Sequence, residues 1–201
     1  MTFTPPSPPP LTGSEPFDGL DARVLDFWRF ALSDLRTNNV RGHLAEFLVA
    51  RAVGVSAQRV EWDPWDVQTP DGITIEVKAS GYLQAWTQRK LSTPTYRVAP
   101  AHGWDSDTGA SSPERQYNAD VYVFCLQTAR THQVYDPLDV SQWEFYVLGR
   151  ASIVARPYLS MGLATLRRLA RAPIGYGELA TSIYEVAARE RNEPGGGSRL
   201  P

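Results

Sequence analysis

Cysteine, lysine and long apolar runs are what this sequence has least of. Its one cysteine, Cys125, excludes a disulfide framework and a cysteine-built zinc site, and makes a reducing cytoplasm the expected compartment. No apolar run approaches the roughly 18 residues that a membrane-spanning helix needs, so no membrane partner is expected. The opening Met1-Thr2-Phe3-Thr4, followed by prolines, has neither the basic start nor the apolar centre of a secretory signal. Histidine is sparse as well: His43, His102 and His132 are scattered and match no metal-ligand spacing. No serine or cysteine stands in a recognisable nucleophile elbow. Of the 20 basic residues only Lys78 and Lys90 are lysines, the rest being arginine. A lysine in such a chain is a candidate for chemistry of its own, because it is a compact charge whose pKa is easily shifted. The net charge of -2 does not mark a nucleic-acid binder, although reading phosphate takes a local basic patch and not a basic total.

What the chain does have is enough length for a core. A chain of 201 residues fits one medium domain, which buries roughly 70% of its unfolded surface. Residues 1–16, centred on Pro5-Pro6-Ser7-Pro8-Pro9-Pro10, read as a disordered proline-rich arm. Residues 17–191 read as a single domain, and 192–201, with Gly195-Gly196-Gly197-Ser198, as a flexible tail. Apolar residues at helical spacing predict helices over 20–35, 40–53, 159–170 and 176–191. Strands are expected over 59–68, 73–79, 95–99, 120–126 and 144–148, and a short helix over 82–90. The polar stretch 101–118 is expected to be a long loop. Six tryptophans are expected mostly in the core, and Arg167, Arg168 and Arg171 on the solvated face of a helix. The pattern is that of an α/β protein.

The informative segment is Trp62-Asp63-Pro64-Trp65-Asp66-Val67-Gln68-Thr69-Pro70-Asp71-Gly72-Ile73-Thr74-Ile75-Glu76-Val77-Lys78. In its second strand Ile73, Ile75 and Val77 point one way, and Thr74, Glu76 and Lys78 the other. Glu76 and Lys78 then stand about 7 Å apart along the strand. Thr69-Pro70-Asp71-Gly72 fits a type I turn with Gly72 at positive φ, a three-residue hairpin that sets Thr69 opposite Ile73 and Asp66 opposite Glu76. Two carboxylates roughly 5 Å apart repel unless a cation lies between them. A hard divalent cation is the natural one, magnesium first and manganese as its substitute. The bland alternative is an edge hairpin with a Glu76–Lys78 surface pair. Asp63 is the other aspartate upstream of Glu76, but strand alternation puts it on the opposite face from Asp66.

These residues resemble the PD-(D/E)xK nuclease superfamily, in which an aspartate on one strand and a Glu-x-Lys on the next form the catalytic core. Here the matching residues are Asp66 and Glu76-Val77-Lys78, with Trp65 where the motif has proline and Pro64 one place earlier. The resemblance spans about residues 40–127. It implies a restriction endonuclease-like core, a mixed central sheet flanked by helices in α-βββ-α-β order. It further implies that Asp66, Glu76 and the Val77 carbonyl hold magnesium and that Lys78 orients the attacking water or steadies the phosphate. Glu46 sits where the family often adds a glutamate from the preceding helix, and Gln84 where several branches carry a glutamine. Arg89 and Lys90 are placed to meet a phosphate backbone. The implied activity is a magnesium-dependent endonuclease on DNA, with RNA still open and a homodimer allowed. The rival is a member without catalysis that binds nucleic acid or protein.

Overall fold

The computed structural model describes residues 9–59, 63–105, 109–155, 159–170 and 172–192. Residues 1–8 of the proline-rich arm and the tail from Glu193 lie outside them. The chain divides into two compact units, Met1–Leu35 and Arg36–Pro201.

In the first unit, α1 (Val24–Leu32) is shorter than its periodicity predicts. Residues 17–23 are spent on a turn, with Phe17 N–H donating to Ala22 O at 3.0 Å, and Asp26 Oδ2 accepts from Arg23 N–H at 2.9 Å to start the helix. Thr12 and Gly13 donate their N–H groups to the Glu15 carboxylate, each at 2.9 Å.

The second unit opens with α2 (Asn38–Ala52), which ends where Gly54 takes φ +76° and Val55 N–H reaches back to Ala50 O at 2.8 Å. Strands β1 (Val67–Gln68) and β2 (Thr74–Gly81) form the expected hairpin in the expected register, Val67 opposite Ile75 and Gln68 opposite Thr74. Gly72 has φ +84°. β3 (Thr95–Arg97), β4 (Ala101–Asp105), β5 (Ala110–Gln116), β6 (Val121–Gln127) and β7 (Trp143–Gly149) follow. After them come α3 (Arg150–Val154), β8 (Ser160–Gly162), α4 (Leu163–Ala170) and α5 (Tyr176–Asn192).

The main sheet has the order β1-β2-β6-β7, with β2 parallel to β6 and the other pairs antiparallel. It is a mixed sheet between helices, so the class is mixed α/β. One face of the sheet buries Ile75, Val77, Val121, Val123 and Cys125 against α2 and α5. The other buries Tyr122, Phe124, Leu126 and Tyr146 against Ile153 of α3, Met161 of β8 and Leu166 of α4. The parallel pair is pinned at its start. Thr74 N–H and Oγ1–H both donate to Asp120 Oδ2, at 3.1 and 2.9 Å, while Asp120 N–H lies 3.0 Å from Thr74 Oγ1 and O. A one-residue slip would break all of these and turn Glu76 into the core.

Four expectations change in the structure. The helix over 82–90 does not form, because the Gln88 side chain accepts from Gln84 N–H at 2.7 Å and donates to Tyr82 O at 3.2 Å, replacing the helical pattern. The loop over 101–118 is largely the hairpin β4–β5. Its side chains are mostly exposed, so no apolar alternation announces it. The strand over 59–68 is reduced to Val67–Gln68, with 60–62 outside the described residues and 63–66 bent. Residues 159–170 begin as a strand, since Met161 pairs with Tyr96 before the helix starts. No helix among the described residues is long and apolar enough to cross a membrane.

Candidate active site

β1 is short, and that makes the site. Past Val67 the chain bends away, so Val77 N–H has no backbone partner from β1, and Asp66 Oδ2 accepts it at 2.7 Å. The N–H and C=O of a strand residue point to the same side, so the Val77 carbonyl faces the same gap. Glu76 and Lys78, on the strand face away from Ile75 and Val77, are joined through Glu76 Oε1 and Lys78 Nζ. All three side chains line a cavity of about 320 Å³.

Glu46 approaches from α2. It lies in an adjoining cavity of about 470 Å³ that Asp66 also lines, and its carboxylate accepts from Arg59 Nε at 2.5 Å with His43 Nδ1 at 3.7 Å. Its side chain is 14% exposed, so it does not reach into bulk solvent. Burial, and then the charge of Asp66, push the Glu46 carboxyl above the usual range, against the pull of Arg59. Burial raises Glu76 too; Lys78 pulls it down, while Asp66 and Glu46 push it further up. Asp66, Glu76 and Glu46 thus act on one another as a concentrated negative charge beside one lysine. Among the described residues no group of three or more His, Cys, Asp or Glu side chains is spaced as a metal cage.

The separation of Asp63 from Asp66 does not hold as argued from alternation. Residues 63–66 are no strand, and Asp63 lines both cavities with Asp66, its carboxyl raised by burial. What distinguishes Asp66 is its bond to Val77. Gln84 is not brought to this centre: it is buried, accepts from Arg41 Nη2 at 3.3 Å and donates to Ser92 Oγ at 3.1 Å. Arg89 and Lys90 line a separate cavity of about 560 Å³ with Arg36 and Trp86. Trp86, expected in the core, is 57% exposed. Arg167 pairs with Glu144 at 3.3 Å, and Arg171 lies outside the described residues.

The sequence reading missed His102, Asn118 and Tyr122, which line the Glu76–Lys78 cavity. His102 comes from the unforeseen β4. Asn118 follows β5, and its Nδ2 donates to Ala101 O at 3.4 Å. Tyr122 was legible in principle, being opposite Glu76 in the parallel register; burial and the neighbouring Glu76 push its hydroxyl pKa up.

A family model described as Bacteriophage T4 endonuclease IV matches residues 29–163. That span runs from within α1 to the start of α4 and contains every side chain of the cavity just described. No curated protein matches the chain.

Proposed function

The chain belongs to the bacteriophage T4 endonuclease IV family, and from that premise we propose that it is a metal-dependent nuclease that hydrolyses phosphodiester bonds in DNA. We take its core to be of the restriction endonuclease-like, PD-(D/E)xK kind. The observation that carries the reading is the meeting of Asp66, Glu76 and Lys78 in one cavity at the point where β1 leaves β2.

The donors suit a hard divalent cation. Two carboxylates and a carbonyl are what magnesium takes when it keeps several waters and shares the substrate's phosphate, so a three-sided protein cage is not required. Asp66 and Glu76, with the Val77 carbonyl, would hold it, magnesium or manganese. Bound there, the cation supplies charge for a phosphate oxygen and acidity for a water. Asp66 binds Val77 N–H through one oxygen and keeps the other for the cavity. Lys78 has three N–H donors, of which Glu76 takes one. The others serve the attacking water or the charge that develops on the phosphate. Glu46, held by Arg59, adds negative potential from the second cavity and acts through water.

A second reading, a domain that binds nucleic acid without cutting it, has one observation in its favour. The Lys78–Glu76 pair already compensates the charge that a cation would otherwise balance. Incubation with duplex DNA, single-stranded DNA and RNA, each with magnesium, manganese or a chelator, separates the two. Cleavage of DNA that the chelator stops is the expected result. Intact substrates under every condition, with a folded protein that still retains them, would establish the second reading.

A further inference from the structure

A cavity of about 300 Å³ beside the end of β2 is lined by Arg41, which is 3% exposed. Its guanidinium donates to Leu83 O at 3.0 Å, to Gln84 Oε1 at 3.3 Å and to Asn38 Oδ1. All of these acceptors are neutral. Burial pulls its pKa below the usual value, opposed by the Tyr135 hydroxyl, which hydrogen-bonds it, and by Tyr96. Among the described residues no carboxylate forms an ion pair with it, and its Nε has no hydrogen-bond partner. Burying a cation without an opposite charge is costly, which makes this a place that favours an anion.

The surroundings are donors. Ser92 Oγ accepts from Gln84 Nε2 and from Gln88 Nε2, each at 3.1 Å, and no described residue takes its own proton. Thr93 is exposed on the same cavity. Asn38 begins α2, a helix of 15 residues whose first turn has no acidic residue. A helix start of that kind adds positive potential. Ser80, also on the cavity, is two residues from Lys78 on β2, about 7 Å by strand rise.

We propose that this cavity holds one phosphate group of the bound nucleic-acid strand, beside the phosphate at Lys78 and distinct from it. The inference rests on the nuclease reading for the source of the phosphate, and on Arg41 for the site. Arginine suits the role because its planar fork keeps spare donors while bonded to protein carbonyls.

The test places a carboxylate in the cavity. Thr93→Asp supplies the missing opposite charge at an exposed position, so the fold is retained, with a melting temperature at or above that of the wild type. Short DNA oligonucleotides are titrated in chelator, so that none is cut, and read by fluorescence anisotropy. Thr93→Asp should bind about tenfold more weakly, the order expected for one charge-assisted contact. Oligonucleotides carrying a single neutral methylphosphonate are then compared at each linkage. One linkage should weaken binding to the wild type but not to Thr93→Asp. Equal affinity of the two proteins, or no such linkage, overturns the proposal. If the wild type binds no oligonucleotide, the nuclease reading fails separately, and inorganic phosphate decides the site. A rise in wild-type melting temperature with phosphate, absent in Thr93→Asp, keeps the site with a small phosphate as its source; no rise removes it.

Discussion

β2 and β6 are parallel neighbours in one sheet, paired from Ile75–Val121 to Gly81–Gln127, yet their side chains meet different surroundings. All seven residues of β6 are buried. β2 keeps Glu76, Lys78 and Ala79 only half-buried. The cause is the next strand along: β6 has a full partner on each side, whereas β1 pairs with β2 for two residues and departs. A polar site therefore needs no special strand. It needs a strand whose neighbour stops early, so that a backbone N–H and carbonyl are left for a carboxylate and for whatever the carboxylate serves.

If that contrast is right, damage to β6 should cost stability, and damage to β2 should cost chemistry. Phe124, fully buried on β6, packs edge-on against Tyr96 with ring centroids 5.3 Å apart. Phe124→Ala should lose about 3–5 kcal/mol in urea unfolding. A loss under about 1 kcal/mol would mean that this face of the sheet is not tightly packed. Lys78→Ala should reduce the cleavage rate by about 10²–10³-fold, the scale of removing one donor to a developing charge, with an unchanged urea midpoint. Lys78→Arg should not restore it. Wild-type-like rates in either variant would take Lys78 out of the mechanism.

A finer test concerns the two aspartates that share the cavities. Asp66→Asn should abolish magnesium binding in a calorimetric titration, since it weakens both the charge and the bond to Val77. Asp63→Asn should leave binding near that of the wild type. The opposite outcome would transfer the motif role to Asp63. The smallest effect belongs to the first unit. Glu15 accepts from Thr12 and Gly13, and those bonds lower its pKa from 4.5 to about 2. A depressed carboxyl stabilises its loop above the unfolded value and stops doing so as pH falls through about 2. The amide proton shifts of Thr12 and Gly13 should titrate with that midpoint. A midpoint near 4.5 would show the loop to be open in solution.

The sequence made the hairpin legible because its three determinants are local: alternation in Ile73–Val77, a turn at Thr69–Gly72, and a glycine free to take positive φ. Strands β6 and β7 were equally plain from their Val, Tyr and Phe content. What stayed hidden depends on groups far apart. The β4–β5 hairpin is held by backbone pairing between exposed side chains, which leaves no periodicity to read. The segment after Gly81 forms its bonds through Gln84 and Gln88 side chains, whose targets are set only by the fold. In the sequence Arg41 is one of 18 arginines, and its significance lies in being buried among neutral partners. Asp66 could be placed opposite Glu76 by counting, but its bond to Val77 follows from where β1 ends, which counting does not reveal.

The clasp between Thr74 and Asp120 joins residues 46 apart in the chain. As an event in folding, it closes a long loop before any ladder bond between β2 and β6 can repay the entropy. Such parallel pairings form slowly compared with a hairpin. During synthesis Glu46, Asp66, Glu76 and Lys78 all leave the ribosome before Asp120 does. A chain stopped short of β6 would carry every acidic group of the site with β2 paired only to the two residues of β1. The order of synthesis thus leaves the proposed centre incomplete until the strand that anchors it has been made.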